Sequence, residues 1–346
     1  MIKTMPALVK ETAGPGLILK EVPVPETGPG QVRIRVLKTA ICGTDLHIYN
    51  WDAWSERTLR PPLVIGHEFV GEIDELGGGV TGFNPGDIVS GEGHIVCGAC
   101  RNCMAGRRHL CIHTVGVGVN RDGCFAKYLV IPATNVVRMA GGIDPDIAAC
   151  FDALGNAVHT ALKFDLTGED VLVTGAGPIG IMAAAICRHC GAKKIAITDI
   201  NPYRLELAKK VVPDVFAADP REITTTKLMK DMKMTEGFDI GLEMSGSESA
   251  FSDMVGHMGN GGRIALLGIH SGKTIIDWDR VVFGGLTVQG IYGREMFDTW
   301  YKMMSMLQTG LDVSKIITHR FDYTDYKEGF EAMRSGSSGK VILNWE

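Results

Sequence analysis

A group of four cysteines is the clearest chemical signal in the sequence. The four occur within 15 residues, at Cys97, Cys100, Cys103 and Cys111. Thiolates are ligands that zinc favours, and four of them complete its tetrahedral coordination without leaving a position for water or substrate. An iron–sulfur cluster also uses four cysteines, but this spacing fits neither common ferredoxin pattern. The group therefore predicts a structural zinc ion.

A second group combines three different donors. Cys42 supplies a thiol, and the adjacent pair His67 and Glu68 supplies an imidazole and a carboxylate. Catalytic zinc typically keeps three protein ligands and one open position, where it can bind a substrate hydroxyl and lower its pKa. A cysteine or a histidine taken alone is more often a core residue than a ligand. The prediction of a catalytic metal therefore rests on the combination.

A glycine-rich turn, Gly175-Ala176-Gly177-Pro178-Ile179-Gly180, predicts a dinucleotide site. It follows an apolar strand and opens an apolar helical run, and Asp199 stands 19 residues after Gly180, close to the ~20 expected. Gly175 would make the tight turn, Gly177 would let the backbone approach the pyrophosphate, and Gly180 would let helix and strand pack closely. The phosphates would lie at the positive end of the helix. A glycine turn without a ligand is the alternative.

Asp199 also bears on the choice of cofactor. Its carboxylate can accept hydrogen bonds from both hydroxyls of the adenosine ribose, and its charge would repel the 2′-phosphate of NADP. Arg204 is ambiguous, because an arginine could favour that phosphate or lie along the adenosine. The acid therefore predicts NAD.

Two patterns of predicted elements surround these groups. Short strands separated by glycines, at 32–36, 70–76, 88–89 and 125–131, indicate an irregular β domain. From residue 144 onwards, helical runs alternate with apolar strands at 171–174, 195–198, 215–216, 238–244, 263–267 and 286–291. Six strands with intervening helices predict a doubly wound parallel sheet. The last 50 residues predict helices at 300–307 and 326–333 and strands at 316–321 and 341–345.

The bulk composition limits the classes of function. The chain has 346 residues, 45% of them hydrophobic and 22% charged, with a formal net charge of −5. This length predicts two domains, and the charge offers no basic surface for nucleic acid and no membrane-seeking face. No window approaches the ~20 apolar residues of a membrane span, and we expect no secretory signal at the N-terminus. Nine cysteines, an odd number, indicate metal chemistry in a reducing cytoplasm and not a disulfide framework.

The order of these motifs resembles that of the medium-chain dehydrogenase/reductase superfamily. The segment Gly66-His67-Glu68-x2-Gly71-x5-Gly77-x2-Val80 is similar to its zinc signature, and the cysteine group and glycine turn follow in the same order. Four segments, at 40–51, 90–94, 155–159 and 290–295, resemble those members of the superfamily that oxidise L-threonine. The resemblance covers nearly the whole chain.

The resemblance implies a fold and a reaction. The fold would be α/β, with a GroES-like catalytic β domain over 1–150 holding both zinc sites, a Rossmann domain over 151–294 binding NAD, and a return to the catalytic domain over 295–346. The reaction would be oxidation of the 3-hydroxyl of L-threonine by NAD to 2-amino-3-oxobutanoate, which a partner CoA ligase would convert to glycine and acetyl-CoA. Homotetramers are usual in this group, and one catalytic and one structural zinc per chain are expected.

The resemblance also implies roles for residues near the metal. Thr44 and His47 would relay the substrate proton through the cofactor ribose to water, although a capping hydroxyl and an exposed histidine are the plain alternatives. Asp152 stands where many relatives have a glutamate that can reach the zinc. Because aspartate is one methylene shorter, we expect Asp152 to orient the zinc-bound water or substrate without binding the metal. The alternative is that it caps a helix beginning near Gly155.

Further positions match the superfamily's cofactor contacts, although apolar strand ends would look the same without a ligand. These positions are Ile179, Leu267, Gly268, Ile269, Ile291 and Tyr292.

Substrate recognition is the least specific part of the sequence. Trp51, Glu92 and His94 could recognise the ammonium or carboxylate of an amino acid, or could equally be a buried aromatic residue and loop charges. Sorbitol-type polyol dehydrogenases share the architecture and are an alternative function. A nucleotide-binding protein that has lost catalysis is another, although the intact metal ligands and the relay pair speak against it.

Overall fold

The computed structural model describes residues 3–270 and 272–346. Over these residues the strands are β1 (Thr4–Lys10), β2 (Ile18–Pro23), β3 (Gln31–Ala40), β4 (Leu63–Val64), β5 (Phe69–Leu76), β6 (Ile88–Gly91), β7 (His94–Ile95), β8 (Val115–Gly116), β9 (Tyr128–Pro132), β10 (Val136–Arg138), β11 (Asp170–Thr174), β12 (Lys194–Thr198), β13 (Phe216–Ala218), β14 (Phe238–Glu243), β15 (Met258–Leu266), β16 (Thr287–Gly290), β17 (Ile317–Asp322) and β18 (Lys340–Asn344).

The helices over the same residues are mostly short. They are α1 (Gly43–Asn50), α2 (Ala53–Thr58), α3 (Arg101–Met104), α4 (Pro145–Ala149), α5 (Phe151–Ala161), α6 (Pro178–His189), α7 (Pro202–Val211), α8 (Thr225–Asp231), α9 (Glu248–His257), α10 (Trp278–Phe283), α11 (Asp298–Gln308) and α12 (Tyr326–Arg334), with 3₁₀ turns at Arg108–Leu110, Ala133–Asn135, Ser314–Ile316 and Tyr323–Asp325. In the described part of the chain, no helix is both long enough and apolar enough to cross a bilayer.

The chain divides into two compact units. The first contains the described residues up to Ala153 with Glu295–Trp300 and Ile317–Glu346, and the second contains the described residues of Leu154–Arg294 with Tyr301–Ile316. The predicted division at 151–294 and 295–346 differs in the segment Tyr301–Ile316. This segment groups with the second unit because Met306 Sδ lies 3.9 Å from Cys190 Sγ and Thr309 Oγ1 lies 3.3 Å from His189 Nε2 at the end of α6.

The first unit is organised around β3. This strand pairs antiparallel with β5, β9 and β18, and its residues alternate between buried and half-buried over most of its length, as the period-two pattern predicts. The seven-stranded sheet runs β10-β6-β5-β3-β18-β17, with β9 on β3 off this path. The strand β18 therefore lies in the interior of a sheet whose other strands, apart from β17, come from residues 31–138.

The second unit is a six-stranded sheet in the order β13-β12-β11-β14-β15-β16. All its pairings are parallel, and this is the 3-2-1-4-5-6 order of doubly wound dinucleotide-binding sheets. β11 is buried along its whole length, as expected for a central strand covered on both faces. Each of the six predicted strands is present, so the predicted α/β fold with a doubly wound parallel sheet is confirmed.

Candidate active site and metal centres

The four cysteines come together in one loop-rich segment that contains α3. Their Sγ atoms lie within 4.8 Å of one another, with Cys100 to Cys103 and Cys97 to Cys111 both at 3.5 Å. Four sulfurs at ~2.3 Å from a tetrahedral zinc are about 3.8 Å apart, so the separations fit this metal. All nine cysteines lie in the described residues, and each is a free thiol.

Backbone N–H groups favour the thiolate form in this segment. Cys97 N and His113 N donate to Cys111 Sγ at 3.4 and 3.3 Å, and Cys100 N donates to Cys97 Sγ at 3.3 Å. Hydrogen bonds from the backbone of Cys103 and Ile112 lower the pKa of Cys100 to about 6. Hydrogen bonds from the backbone also lower the pKa of Cys111, whereas burial raises the pKa of Cys103 to about 12. The backbone thus favours the zinc-binding thiolate form at Cys100 and Cys111.

The second group of candidate ligands forms at the start of α1 and just before β5. Cys42 is the N-cap residue of α1, and His67 and Glu68 immediately precede β5. Within the described residues, one ligand atom from each of the three lies within 4.8 Å of the other two. Gly66 permits this approach, because its φ is +90° and a Cβ there would lie 2.2 Å from Cδ1 of Phe125.

The surroundings of these three residues favour a cation. Asp45 accepts a hydrogen bond from Cys42 N at 2.9 Å, and its Oδ1 lies 3.8 Å from His67 Nδ1. Although burial lowers the pKa of an imidazole, the charges of Asp45 and Cys42 raise the pKa of His67 well above its ordinary value. Asp45 Oδ1, His67 Nδ1 and Glu68 Oε1 are buried without a hydrogen-bond partner. A bound divalent cation would relieve the cost of these buried polar atoms, so the donors fit zinc.

Lys340 is a residue of this site that the sequence analysis missed. It opens β18, its side chain is 4% exposed, and its Nζ donates to Glu68 Oε2 at 2.6 Å and to Ile41 O at 3.0 Å. Burial raises the pKa of Glu68, and the ammonium opposes that rise. Lys340 thus occupies one oxygen of Glu68 and leaves Oε1 for a metal. Its only signal in the sequence is a lysine that begins the apolar run 341–343.

Asp152 lies in the first turn of α5, which begins at Phe151. The alternative prediction, a cap for a helix beginning near Gly155, is therefore wrong about where the helix starts. A Cβ built at Gly93 would be 3.6 Å from both Asp152 Oδ1 and His67 Cβ. Asp152 is not one of the three residues whose ligand atoms group within 4.8 Å. The structure therefore brings its carboxylate near the candidate ligands without including it among them.

Thr44 and His47 lie three positions apart on α1, so their side chains share one face of the helix. The His47 side chain is 63% exposed, and its Nδ1 lies 2.6 Å from Asp52 Oδ2. Burial alone would raise the pKa of Asp52. Hydrogen bonds from Ser55 and His47 outweigh this effect and hold the pKa below its ordinary value, so this carboxylate is ionised. Thr44 thus lies in the first turn of α1, two residues after Cys42, and His47 presents its imidazole to solvent one turn later.

The three candidate substrate residues differ in their surroundings. Trp51 ends α1, and the buried Lys10 ammonium lies 5.0 Å from its ring centroid. His94 is partly exposed, with its Nδ1 3.6 Å from Glu92 Oε1. Glu92 is fully buried, and its two oxygens accept from His94 N and from Trp300 Nε1, each at 3.0 Å. Glu92 is therefore a buried, hydrogen-bonded carboxylate and not an exposed loop charge, and a role for it in substrate recognition stays a prediction.

The glycine turn connects β11 to α6 with the predicted geometry. Gly175 has a φ of +91°, and a Cβ at Gly180 would lie 2.0 Å from Gly175 O. A Cβ at Gly177 would meet no atom within 4 Å. Gly177 is the N-cap residue of α6, and no side chain caps this end. The helix therefore begins with open space and free N–H donors, as a pyrophosphate site requires.

Asp199 follows β12 and supports the same turn. Its Oδ2 accepts from Ala176 N and its Oδ1 from Asn201 N, each at 2.8 Å. Arg204 Nη1 lies 3.9 Å from Asp199 Oδ2. Asp199 and Arg204 line a cavity of ≈ 720 Å³ together with Gly175 and Gly177. The volume is that of a cofactor-sized cleft.

The remaining candidate cofactor residues lie at the same edge of the parallel sheet. Leu267, Gly268 and Ile269 follow β15, Ile291 and Tyr292 follow β16, and Ile179 is in the first turn of α6. Ile269 and Tyr292 are 94% and 52% exposed, whereas Ile291 is buried. Carboxyl ends of parallel strands are where doubly wound sheets bind ligands, so the topology gathers all the predicted cofactor positions of the second unit.

Comparison with known proteins agrees with these sites. Residues 28–141 match the family model of the alcohol dehydrogenase GroES-like domain, and residues 178–309 match that of the zinc-binding dehydrogenases. L-threonine 3-dehydrogenases from Solibacter usitatus and Proteus mirabilis are each 60% identical over 99% of this chain and 100% of their own length. The chain belongs to the L-threonine 3-dehydrogenase family.

Solved structures of alcohol dehydrogenases share this fold. An alcohol dehydrogenase from E. coli CFT073, complexed with NADH, is 26% identical with a TM-score of 0.90 and covers 99% of each chain. Alcohol dehydrogenase from Thermus sp. ATN1 is 27% identical with a TM-score of 0.90, over 98% of this chain and 99% of its own. The predicted GroES-like and Rossmann architecture is confirmed, and the chain is a zinc- and nicotinamide-dependent dehydrogenase.

Proposed function

We propose that the chain oxidises L-threonine at its 3-hydroxyl with NAD, giving 2-amino-3-oxobutanoate. The observation that carries the choice of substrate is the 60% identity, from end to end, to L-threonine 3-dehydrogenases. The donor group at Cys42, His67 and Glu68 supports alcohol chemistry, because its donors fit a catalytic zinc with an open position. We assign the first unit as the catalytic domain with both zinc sites and the second as the NAD domain.

Cys42, His67 and Glu68 would hold the catalytic zinc, and the four clustered cysteines would hold the structural one. When bound, zinc lowers the pKa of the substrate hydroxyl and NAD accepts the hydride. The chain's own residues then move the proton. Thr44 and His47 would relay it to water, and ionised Asp52 holds the exposed imidazole of His47 at its Nδ1. Trp51, Glu92 and His94 are the candidates for substrate contact.

Substrate-dependent formation of NADH tests this function. We expect the absorbance of NADH to rise with L-threonine and to stay at background with sorbitol and other polyols. A rise with polyols alone would replace the proposal with a polyol dehydrogenase. No rise with either, in protein that binds NADH, would indicate a nucleotide-binding protein without catalysis.

The Asp152→Asn variant tests whether Asp152 is a metal ligand or orients the bound substrate. The substitution keeps the size of the side chain and removes its charge. Because Asp152 lies near His67 without being grouped with the ligands, we expect both zinc ions to be retained and turnover to fall by roughly 10–100-fold. Zinc content and the rate of NADH formation measure this. Loss of one zinc would make Asp152 a ligand, and unchanged turnover would exclude both roles.

Asp199 would select NAD by accepting the ribose hydroxyls, with Arg204 alongside the adenosine. Asp199→Ala removes this acceptor and also the support of Ala176 N. A charge-assisted hydrogen bond is worth about 1.5–3 kcal/mol, so we expect at least about tenfold weaker NADH binding and a reduced preference over NADPH. Fluorescence titration with both nucleotides measures it, with Asp199→Asn, which keeps one acceptor oxygen, as the intermediate case. Wild-type protein that binds NADPH as tightly as NADH would contradict the assignment.

We also propose a homotetramer, a cytoplasmic location and a CoA ligase that consumes the product. The outer strand β16 exposes all four of its residues, and Trp278, Val282 and Phe283 of α10 are exposed apolar side chains. Such an edge is a surface that natural proteins usually cover. Free thiols throughout the chain support a reducing compartment. Light scattering should give a mass near four times 37.3 kDa, and a monomer would contradict the tetramer.

A further inference from the structure

Glu243 is a buried carboxylate that the proposed chemistry does not use. It ends β14, the strand next to β11, and is 0% exposed. Its Oε1 accepts from Ser245 N at 2.9 Å, from Gly246 N at 3.1 Å and from the Ser245 hydroxyl. The Thr174 hydroxyl, at the end of β11, donates to the same oxygen at 3.4 Å. One side chain therefore ties the loop after β14 to the strand that leads into the glycine turn.

The backbone of Glu243 fixes a further loop. Its carbonyl oxygen accepts from Leu267 N and Gly268 N, each at 3.0 Å. A Cβ at Gly268 would lie 2.2 Å from Glu243 Oε2, so this loop passes directly against the carboxylate. Leu267 and Gly268 are among the predicted cofactor positions. Three segments at the carboxyl edge of the sheet thus meet at one residue.

The chemistry of the contacts requires a carboxylate at this position. The hydrogen bonds to the two side-chain oxygens come from N–H and O–H groups, and the imidazole Nε2 of His270 lies 3.5 Å from Oε2. A carboxylate offers an acceptor at both oxygens, whereas a glutamine would turn an NH₂ group towards one set of donors. Burying such a charge is costly unless it is fully hydrogen-bonded. Glu243 meets this cost with donors that belong to the loops themselves.

We propose that Glu243 is a positioning residue that builds the cofactor pocket before the dinucleotide binds. Ser245, one of its partners, lines the ≈ 720 Å³ cavity together with Gly175 and Asp199. The inference rests on the proposed function only in taking this cavity as the cofactor site. Holding the loops in place in the free protein removes the cost of ordering them on binding, which raises affinity without a contact to the ligand.

Glu243→Gln tests the proposal through binding and through the free protein. If the loops are correctly placed only a tenth of the time, the apparent affinity for NADH falls about tenfold. We expect this loss in a fluorescence titration, together with faster hydrogen exchange in cofactor-free protein at the amides of Ser245 and Gly246, which donate to the carboxylate. Zinc content should not change. Glu169→Gln is the matched control, because that carboxylate pairs with Arg263 beside the opposite end of β11.

The outcomes separate this proposal from the function on which it rests. Wild-type protein that does not bind NADH would refute the cofactor assignment itself. Equal NADH affinity in Glu243→Gln and wild type would overturn the positioning role and leave the function intact. Weaker binding with unchanged exchange at the amides of Ser245 and Gly246 would also overturn it, since their loop would then be in place without the carboxylate. If Glu243→Gln does not fold, Ser245→Ala replaces it, because this substitution removes one donor to the carboxylate. We expect a smaller loss of NADH affinity and a smaller rise in amide exchange. The absence of both effects would overturn the proposal.

Discussion

Cys42→Ser is expected to leave a folded protein with almost no turnover. The substitution removes one of three proposed ligands of the catalytic zinc, at the N-cap of α1. Metal-ion catalysis supplies several kcal/mol of charge stabilisation, so the rate of threonine oxidation should fall at least about a thousandfold. Thermal unfolding should change little, because the hydrogen-bonded scaffold around the site remains. Measurements of turnover, zinc content and unfolding temperature on one preparation check all three expectations.

Cys100→Ser is the contrasting variant and should act on folding. Structural zinc contributes ~10–16 kcal/mol in small zinc domains, comparable to the ~5–15 kcal/mol that stabilises a whole domain. We expect a large drop in unfolding temperature or loss of soluble protein. Cys190→Ser, a partly exposed thiol outside both groups, controls for the loss of a cysteine. Equal destabilisation by Cys42→Ser and Cys100→Ser would contradict the division into a catalytic and a structural site.

Lys340→Met is expected to produce the second large effect. It leaves Glu68 as a buried carboxylate without its 2.6 Å partner. Breaking a buried ion pair by removing one member costs about 3–5 kcal/mol, because the remaining charge is uncompensated. For a unit of this size each kcal/mol lowers the unfolding temperature by ~2–4 °C, so the midpoint should fall by roughly 6–20 °C. Differential scanning calorimetry in a Cys42→Ser background, where no catalytic zinc compensates the Glu68 charge, measures the shift.

The double variant Lys340→Met with Glu68→Gln is the control for this prediction. It removes both charges, and replacing both members of a buried pair is often neutral. We expect most of the lost stability to return while turnover stays low, because Glu68 is a proposed zinc ligand. A double variant no more stable than Lys340→Met would show that the lysine acts through packing and not through its charge.

The elements that the sequence predicted well are those specified by neighbouring residues. Six parallel strands and the glycine turn follow from apolar runs and local spacing, and each is present. The helices α1 and α2, on either side of Trp51, have no counterpart among the predicted elements. These helices have eight and six residues, too short for a clear helical period. The N-cap Asp52, which accepts from Ser55 N at 2.9 Å, was the available signal.

Residues whose roles depend on distant partners were not predictable in this way. Lys340 is 272 positions from Glu68, and Trp300 is 208 positions from Glu92. A buried lysine or glutamate has the same composition and local pattern as a solvated one, and only the pairing in space tells them apart. The same reason explains why the sequence alone does not reveal the buried contacts of Glu92 and Glu243.

The place of β18 between β3 and β17 has a consequence for how the protein is made. Synthesis proceeds from the N-terminus, so Cys42, His67 and Glu68 leave the ribosome long before Lys340 does. Until the last strand is released, β3 lacks its Ile342–Ala40 pairing and Glu68 lacks its ammonium. The edge of β3 is therefore unpaired during this interval, and a chain terminated before Lys340 would lack both the strand and the ammonium. Maturation of the catalytic centre thus depends on the release of β18, long after its proposed metal ligands have been made.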